Sequence, residues 1–257
     1  GRRKGAGIRC AGNALDSGFA AVSDGERVVP SPGNTQWRAD VKFASFVVVD
    51  QPAWGLVEDE KVAVLSALAG VPSDLKAALA ADALAALAAR AADAPRLPVA
   101  GLAWLPVVPK PDKILCIGLN YEDHRLETGR AQVANSTVFT RFFNTQIGHE
   151  APILRPNVSS DLDYEGELAV IIGRPGRYIA RAEALNHVAG FSIYNDVSVR
   201  DFQAHTHQYT PGKNFPGTGA FGPWMVTPDE MGPLGEQRIE TRLNGAVVQS
   251  AVFAQMI

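Results

Sequence analysis

Cysteine is scarce in this chain. Cys10 and Cys116 are the only two, and neither sits in a Cys-x-x-Cys pair, so no disulfide framework holds the fold. Cys116, within Lys113-Ile114-Leu115-Cys116-Ile117, reads as a buried strand thiol. Long apolar runs are missing as well. None approaches the roughly 20 residues that span a bilayer, and the one compact basic cluster, Arg2-Arg3-Lys4, is not followed by the apolar stretch of a signal peptide. The expected location is the cytoplasm, without a membrane partner. Nor is there an excess of one charge: the formal net charge of −3 gives no electrostatic reason for a nucleic-acid partner. A Gly-x-Ser-x-Gly nucleophile elbow and internal repeats are absent from the sequence. Gly217-Thr218-Gly219-Ala220-Phe221-Gly222 matches a dinucleotide-binding spacing, but Pro216 and Pro223 bracket it, so the strand-to-helix context that gives the motif its function is not expected.

The 257 residues, 46% of them hydrophobic, suffice for one large domain or a main domain with a small companion. Residues 1–40 show no sustained periodicity and form an unassigned extension, read as disordered or foreign to the domain. Strand character begins at Val41, continues to Val49, and resumes in Ala53 to Val57 and Lys61 to Leu65. An Ala/Leu-rich segment from Ser73 to about Ala92 predicts a helix. Prolines at 95, 98, 106, 109 and 111 mark a boundary near 94–111, between a small N-terminal αβ domain over 41–105 and a main domain over 106–257. The main domain alternates short strands and loops. A helix is expected at about 180–189, and Asn244-Gly245 between two strand-like runs signals a hairpin. Crossover helices are too few for a doubly wound sheet, so the expected class is α+β, a β-rich mixed sandwich or roll.

Carboxylates carry the chemistry. In Asp163-Tyr164-Glu165-Gly166-Glu167, the two glutamates open an apolar run that reads as a strand; residues two apart share a strand face, so the like charges sit together. Such a pair alone is as a rule a solvated strand face. Where a cation answers it, an all-oxygen site without Cys or His suits Mg²⁺ or Mn²⁺ before Zn²⁺. Asp196 ends a second strand-like run, Phe191 to Asp196. A further constellation follows the Lys113 to Leu119 strand: His124 and Glu127, at i and i+3 on a helical turn, share a side, so the carboxylate can orient the imidazole as a general base. The plainer reading is a surface helical pair. His205 and His207 could share a face and meet a metal, but an exposed loop, serving as a lid, is the preferred reading.

Four segments in order resemble the fumarylacetoacetate hydrolase family: Gly118-Leu119-Asn120-Tyr121 with His124 and Glu127; Leu162 to Ala169 with its Asp-Tyr-Glu-Gly-Glu core; Asn195-Asp196-Val197-Ser198-Val199-Arg200-Asp201; and Gly212-Lys213-Asn214-Phe215. The resemblance spans roughly residues 105–257, and the segment from Val41 is similar to the small N-terminal domain of bacterial members. It implies a β-roll catalytic domain that homodimerises. It further implies Glu165, Glu167 and Asp196 as ligands of Mg²⁺ or Mn²⁺, with Ca²⁺ a possible substitute, and His124 and Glu127 as a catalytic dyad. Lys213 would face the reacting group, Arg200 and Gln203 would line the substrate pocket, and Asp201 would support the loop. Family members continue past the position of Ile257 through further strands to a Thr-Gly-Thr-Pro loop, so the expected catalytic domain lacks its C-terminal part here.

The activity so implied is metal-dependent hydrolysis of a carbon–carbon bond in a β-diketo acid of the fumarylacetoacetate or acylpyruvate type. In that scheme a small-molecule 2-oxo acid is polarised by the cation, His124 activates water and Lys213 offsets oxyanion charge. Isomerisation, decarboxylation or hydration of a 2-oxo diacid of aromatic catabolism is the alternative, because fold and ligands do not choose among them. A non-catalytic Ca²⁺- or Mg²⁺-binding module is the second alternative.

Overall fold

A computed structural model describes residues 41–127, 129 and 135–257, apart from the side chain of His124. The expected extension 1–40, with Cys10, lies outside the described residues. Among those described, ten strands form one mixed sheet. Its path runs Arg96–Pro98, Lys61–Ala63, Gln51–Glu58, Lys42–Val48, Met225–Val226, Val188–Asp196, Gly219–Phe221 and Gln146–Ile147; Ala103–Trp104 also pairs with Lys42–Val48, and Gly166–Ile172 with Val188–Asp196. Gly219–Phe221 and Gln146–Ile147 pair in parallel, whereas the neighbours along the chain pair antiparallel. Two-stranded ladders join Ile114–Gly118 to Thr137–Arg141, Leu162–Asp163 to Ser198–Val199, and Arg238–Leu243 to Ala246–Val252. This is the sheet-rich α+β class expected from the sequence.

Local chemistry explains the elements. Apolar alternation places Phe43 in one buried cluster and Ala44 and Phe46 together in a second, so both sides of the sheet are covered. Trp54 is fully buried and its Nε1 donates to Pro72 O at 2.9 Å, which meets the need of a buried indole for a partner. The turn at Asn244-Gly245 has φ of 52° and 86°, the paired positive values of a type I′ hairpin. Within the proline-punctuated stretch, Arg96–Pro98 and Ala103–Trp104 are strands, and Val107 shares a buried cluster with Phe43, Trp54, Tyr194 and Met225.

Two helix expectations need correction. The Ala/Leu-rich segment is two short helices, Leu75–Ala80 and Leu84–Ala88, because Asp82 between them takes φ of 49° and ends the first. Asp74 is the N-cap of the first: its Oδ1 accepts from Ala77 N at 2.8 Å. At 180–189 there is a 3₁₀ helix, Arg181–His187, with no buried residue, and Val188 already belongs to the strand that continues to Asp196. Sheet pairing of Val188 with Ile172 takes the residues that an α-helix would have used.

Candidate metal centre

The strands Gly166–Ile172 and Val188–Asp196 run antiparallel with Gly166 opposite Asn195 and Glu167 opposite Tyr194. Glu165 stands just ahead of the first strand, yet pairing persists there: Asp196 N donates to Glu165 O at 2.8 Å, and Glu165 N donates to Asn195 Oδ1 at 3.0 Å. This register sets Glu165, Glu167 and Asp196 along one cleft, whose lining also includes Glu127, Arg200, Gln203 and Lys213. Gly166 is needed between the glutamates because a Cβ there would lie 2.3 Å from Thr241 Oγ1. The same position is braced by Gln249, whose side chain accepts from Gly166 N at 2.9 Å and donates to Gly166 O at 2.8 Å.

Lys213 ends the short helix Thr210–Lys213, and its side chain is 1% exposed. Its Nζ donates to Glu165 Oε2 at 2.5 Å and to Asp196 Oδ2 at 2.7 Å, and it lies 5.1 Å from the Phe139 ring centre. Asn214 secures the loop by donating to Thr140 O and accepting from Phe142 N. Arg200 donates to Asp163 Oδ2 at 2.7 and 2.9 Å, to Glu165 Oε1 at 2.5 Å and to Gln203 Oε1 at 2.9 Å. Asp201 is not among the residues lining this cleft, and it accepts from Ser159 Oγ at 2.7 Å.

Electrostatics divide the two glutamates. Burial alone would raise the Glu165 carboxyl, but the Lys213 ammonium and the Arg200 guanidinium outweigh it and hold the group below the usual carboxylate range. Glu167 goes the other way: burial, then the charges of Glu165 and Asp196, push it up to about 7. Its carboxyl makes no hydrogen bond or ion pair among the described residues. Cys116 is pushed up to about 12 by burial, reinforced by the charge of Asp196, which leaves its thiol protonated at neutral pH and unsuited to nucleophilic attack.

Among the described residues no three His, Cys, Asp or Glu side chains converge as ready-made metal ligands, and Lys213 Nζ bridges Glu165 and Asp196. The donor set nevertheless fits a hard cation. Four carboxylates, Asp163, Glu165, Glu167 and Asp196, meet three cationic groups, Arg141, Arg200 and Lys213, and Glu167 is the one without an ion pair among the described residues. An all-oxygen set with more carboxylates than cationic partners suits a hard divalent cation such as Mg²⁺ or Mn²⁺.

The expected site residues are thus largely together. Glu165, Glu167, Asp196, Lys213, Arg200 and Gln203 share the cleft, and Glu127 reaches it from the helix Glu122–Glu127. His124 belongs to that helix, but its side chain lies outside the described residues. His205 and His207 are exposed between the helices Arg200–Gln203 and Thr210–Lys213, and the His205 ring packs on Phe202 at 4.7 Å. Three groups escaped the sequence reading. Arg141 is buried and donates to Asp196 Oδ1 at 2.6 Å; Ser198 Oγ donates to Glu165 Oε1 at 3.1 Å; Asp163 is the main partner of Arg200. An arginine closing the otherwise apolar or neutral run Thr137-Val138-Phe139-Thr140-Arg141 was the available signal.

Residues 113–257 match the model of the family described as fumarylacetoacetate (FAA) hydrolase, C-terminal. The chain belongs to the fumarylacetoacetate hydrolase family. Similar curated members include the mitochondrial oxaloacetate tautomerase FAHD2A of Homo sapiens, 37% identical over 165 residues, 63% of this chain and 52% of that protein. The Fahd2a counterpart of Rattus norvegicus is 36% identical over 164 residues, again 63% and 52%. The match thus spans about half the length of these relatives. Among solved structures, a fumarylacetoacetate hydrolase of Exiguobacterium antarcticum superposes with a TM-score of 0.73 at 31% identity, over 84% of this chain and 76% of that one. A maleylpyruvate hydrolase of Sphingobium sp. SYK-6, solved with manganese(II) and pyruvate, has a TM-score of 0.69 at 23% identity over 84% and 78%, a likeness of fold. Members of this fumarylacetoacetate hydrolase family therefore include tautomerases and hydrolases on one scaffold.

Proposed function

We propose that the chain catalyses keto–enol tautomerisation of a 2-oxo dicarboxylic acid of the oxaloacetate type, with a divalent cation, Mg²⁺ or Mn²⁺, held by Glu165, Glu167 and Asp196. The observation that carries this reading is Glu167, without an ion pair of its own, beside the Lys213-bridged pair of Glu165 and Asp196: an oxygen donor set with more carboxylates than cationic partners. The names of the curated tautomerases, at 36–37% identity, favour this substrate class. When bound, the cation would supply Lewis acidity to the carboxylate and 2-oxo oxygens of the substrate.

The chain's own residues would do the rest. Lys213 holds the Glu165 carboxyl below the usual carboxylate range, pairs with Asp196, and presents an ammonium to developing negative charge; its burial strengthens that interaction. Arg200, 38% exposed towards the cleft, is placed to meet the distal carboxylate of a diacid, and Gln203 holds one of its nitrogens. His124, oriented by Glu127, is proposed as the general base that takes the proton from C3, which returns on the 2-oxo oxygen to give the enol. The electron pair of the broken C–H bond becomes the C2–C3 double bond, so no co-reactant is consumed.

Carbon–carbon hydrolysis of a β-diketo acid is the second reading, favoured by the 31% identity to the Exiguobacterium hydrolase. It needs the same residues, with His124 activating water instead. The discriminating experiment incubates the chain and Mg²⁺ with oxaloacetate and, separately, with an acylpyruvate. The enol absorbance is followed in one and carboxylic acid release in the other, each with and without chelator. Accelerated, chelator-sensitive enol–keto conversion without acylpyruvate cleavage is the expected result. Cleavage without tautomerisation would replace the first reading by the second, and undiminished turnover in chelator would sink the metal centre in both. The homodimer and the cytoplasmic location belong to the same proposal.

A further inference from the structure

Arg141 is the most deeply buried cation that the chemistry above does not use. Its side chain is fully buried and the Asp196 side chain is 6% exposed. A buried ion pair gains little stability over an apolar pair of the same size, because desolvation of both charges offsets their attraction. Geometry gives a better account of this one. Nη1 donates to Asp196 Oδ1 at 2.6 Å and to Val197 O at 3.1 Å, while Nη2 donates to Thr218 Oγ1 at 2.8 Å. Thr218 is itself fixed, since its Oγ1 donates to Phe215 O at 2.6 Å. The guanidinium carbon lies 5.7 Å from the Tyr194 ring centre.

Gly219 pairs with Asp196 and leaves room for this arrangement: a Cβ there would lie 2.2 Å from Tyr194 Oη and 3.1 Å from Arg141 Nη2. The two oxygens of Asp196 are therefore assigned to unlike partners. Oδ1 is held by a planar guanidinium anchored at three points, whereas Oδ2 is held by Lys213, an ammonium on a four-carbon stem that can yield.

We propose that Arg141 is a positioning residue that locks Asp196 through Oδ1 and thereby reserves Oδ2 as the oxygen offered to a divalent cation. The inference rests on the metal-centre reading. Thr218 is the outer member of the same support, because it fixes the second guanidinium nitrogen without touching Asp196.

The test uses Mn²⁺ as probe on the whole chain without substrate. Affinity and the electron paramagnetic resonance line shape are measured for wild type, Arg141→Lys, Thr218→Val and Glu167→Gln, with circular dichroism to verify folding. Arg141→Lys keeps the charge and loses the planar fork. Its Mn²⁺ affinity is expected to fall roughly ten- to a hundredfold, the usual cost of removing a residue that orients a metal ligand, with an altered line shape. Thr218→Val should show a smaller loss of the same kind. Wild-type affinity and line shape in a folded Arg141→Lys would overturn the proposal while leaving the metal centre standing. Should that variant not fold, Thr218→Val decides in the same way. No Mn²⁺ binding by wild type, or unchanged binding in Glu167→Gln, would remove the metal-centre reading and this inference with it.

Discussion

Glu167 is the residue on which the electrostatics of the cleft turn. Its carboxyl lies at about 7 in the folded chain against an ordinary 4.5, so the folded state binds its proton more tightly than the unfolded state does. The stability this provides is complete below the ordinary value and is lost as pH rises through about 7, where the ionised group faces Glu165 and Asp196. In chelator, wild type should therefore lose thermal stability between pH 5 and pH 8, and Glu167→Gln, which cannot ionise, should lose less. Added Mg²⁺ should reverse the order at pH 8 by stabilising wild type alone. Melting curves across pH, with and without the ion, check both statements; a variant that follows wild type throughout would show that Glu167 is not the strained group. Arg141 teaches the complementary lesson. Its pairing with Asp196 was not legible in the sequence because the two lie 55 residues apart, and no local spacing relates them.

Elements were legible where their signal is local. The Asn244-Gly245 hairpin, the strand that carries Glu167 and the strand that ends at Asp196 follow from turn chemistry and apolar runs. The clustering of the carboxylates was legible because two of them are two residues apart and the third ends the neighbouring strand. What failed depended on backbone choices that propensity does not encode. Alanine and leucine favour a helix throughout 75–88, yet Asp82 adopts the left-handed region and divides it. The segment 181–187 has helical composition but buries nothing, so only a 3₁₀ helix forms before the sheet claims Val188. At this scale the cap is testable. Asp74→Ala removes the acceptor for Ala77 N and should destabilise the chain by about 1 kcal/mol, read from the urea midpoint at unchanged slope. A midpoint equal to that of wild type would mean the first turn contributes nothing to folding.

At the scale of the molecule, one sheet links the strands before residue 105 to those that carry the site, and Met225–Val226 is the link, pairing with Lys42–Val48 on one side and Val188–Asp196 on the other. The hairpin Ile114–Gly118 with Thr137–Arg141 leaves Leu115, Ile117 and Val138 exposed on one face, an apolar strip that a homodimer of the proposed kind could cover. Across this frame the assembled carboxylates, cation and Lys213 must lower the cost of removing a proton from C3 of a 2-oxo acid, whatever happens afterwards. Deuterium exchange at C3 of oxaloacetate in D₂O, followed by proton NMR with Mg²⁺ present, reads that step alone. The expected result is exchange well above the uncatalysed rate with wild type and a return towards that rate with chelator, Glu167→Gln or Lys213→Met. Exchange at the uncatalysed rate with wild type, or unaltered exchange in Glu167→Gln, would contradict it.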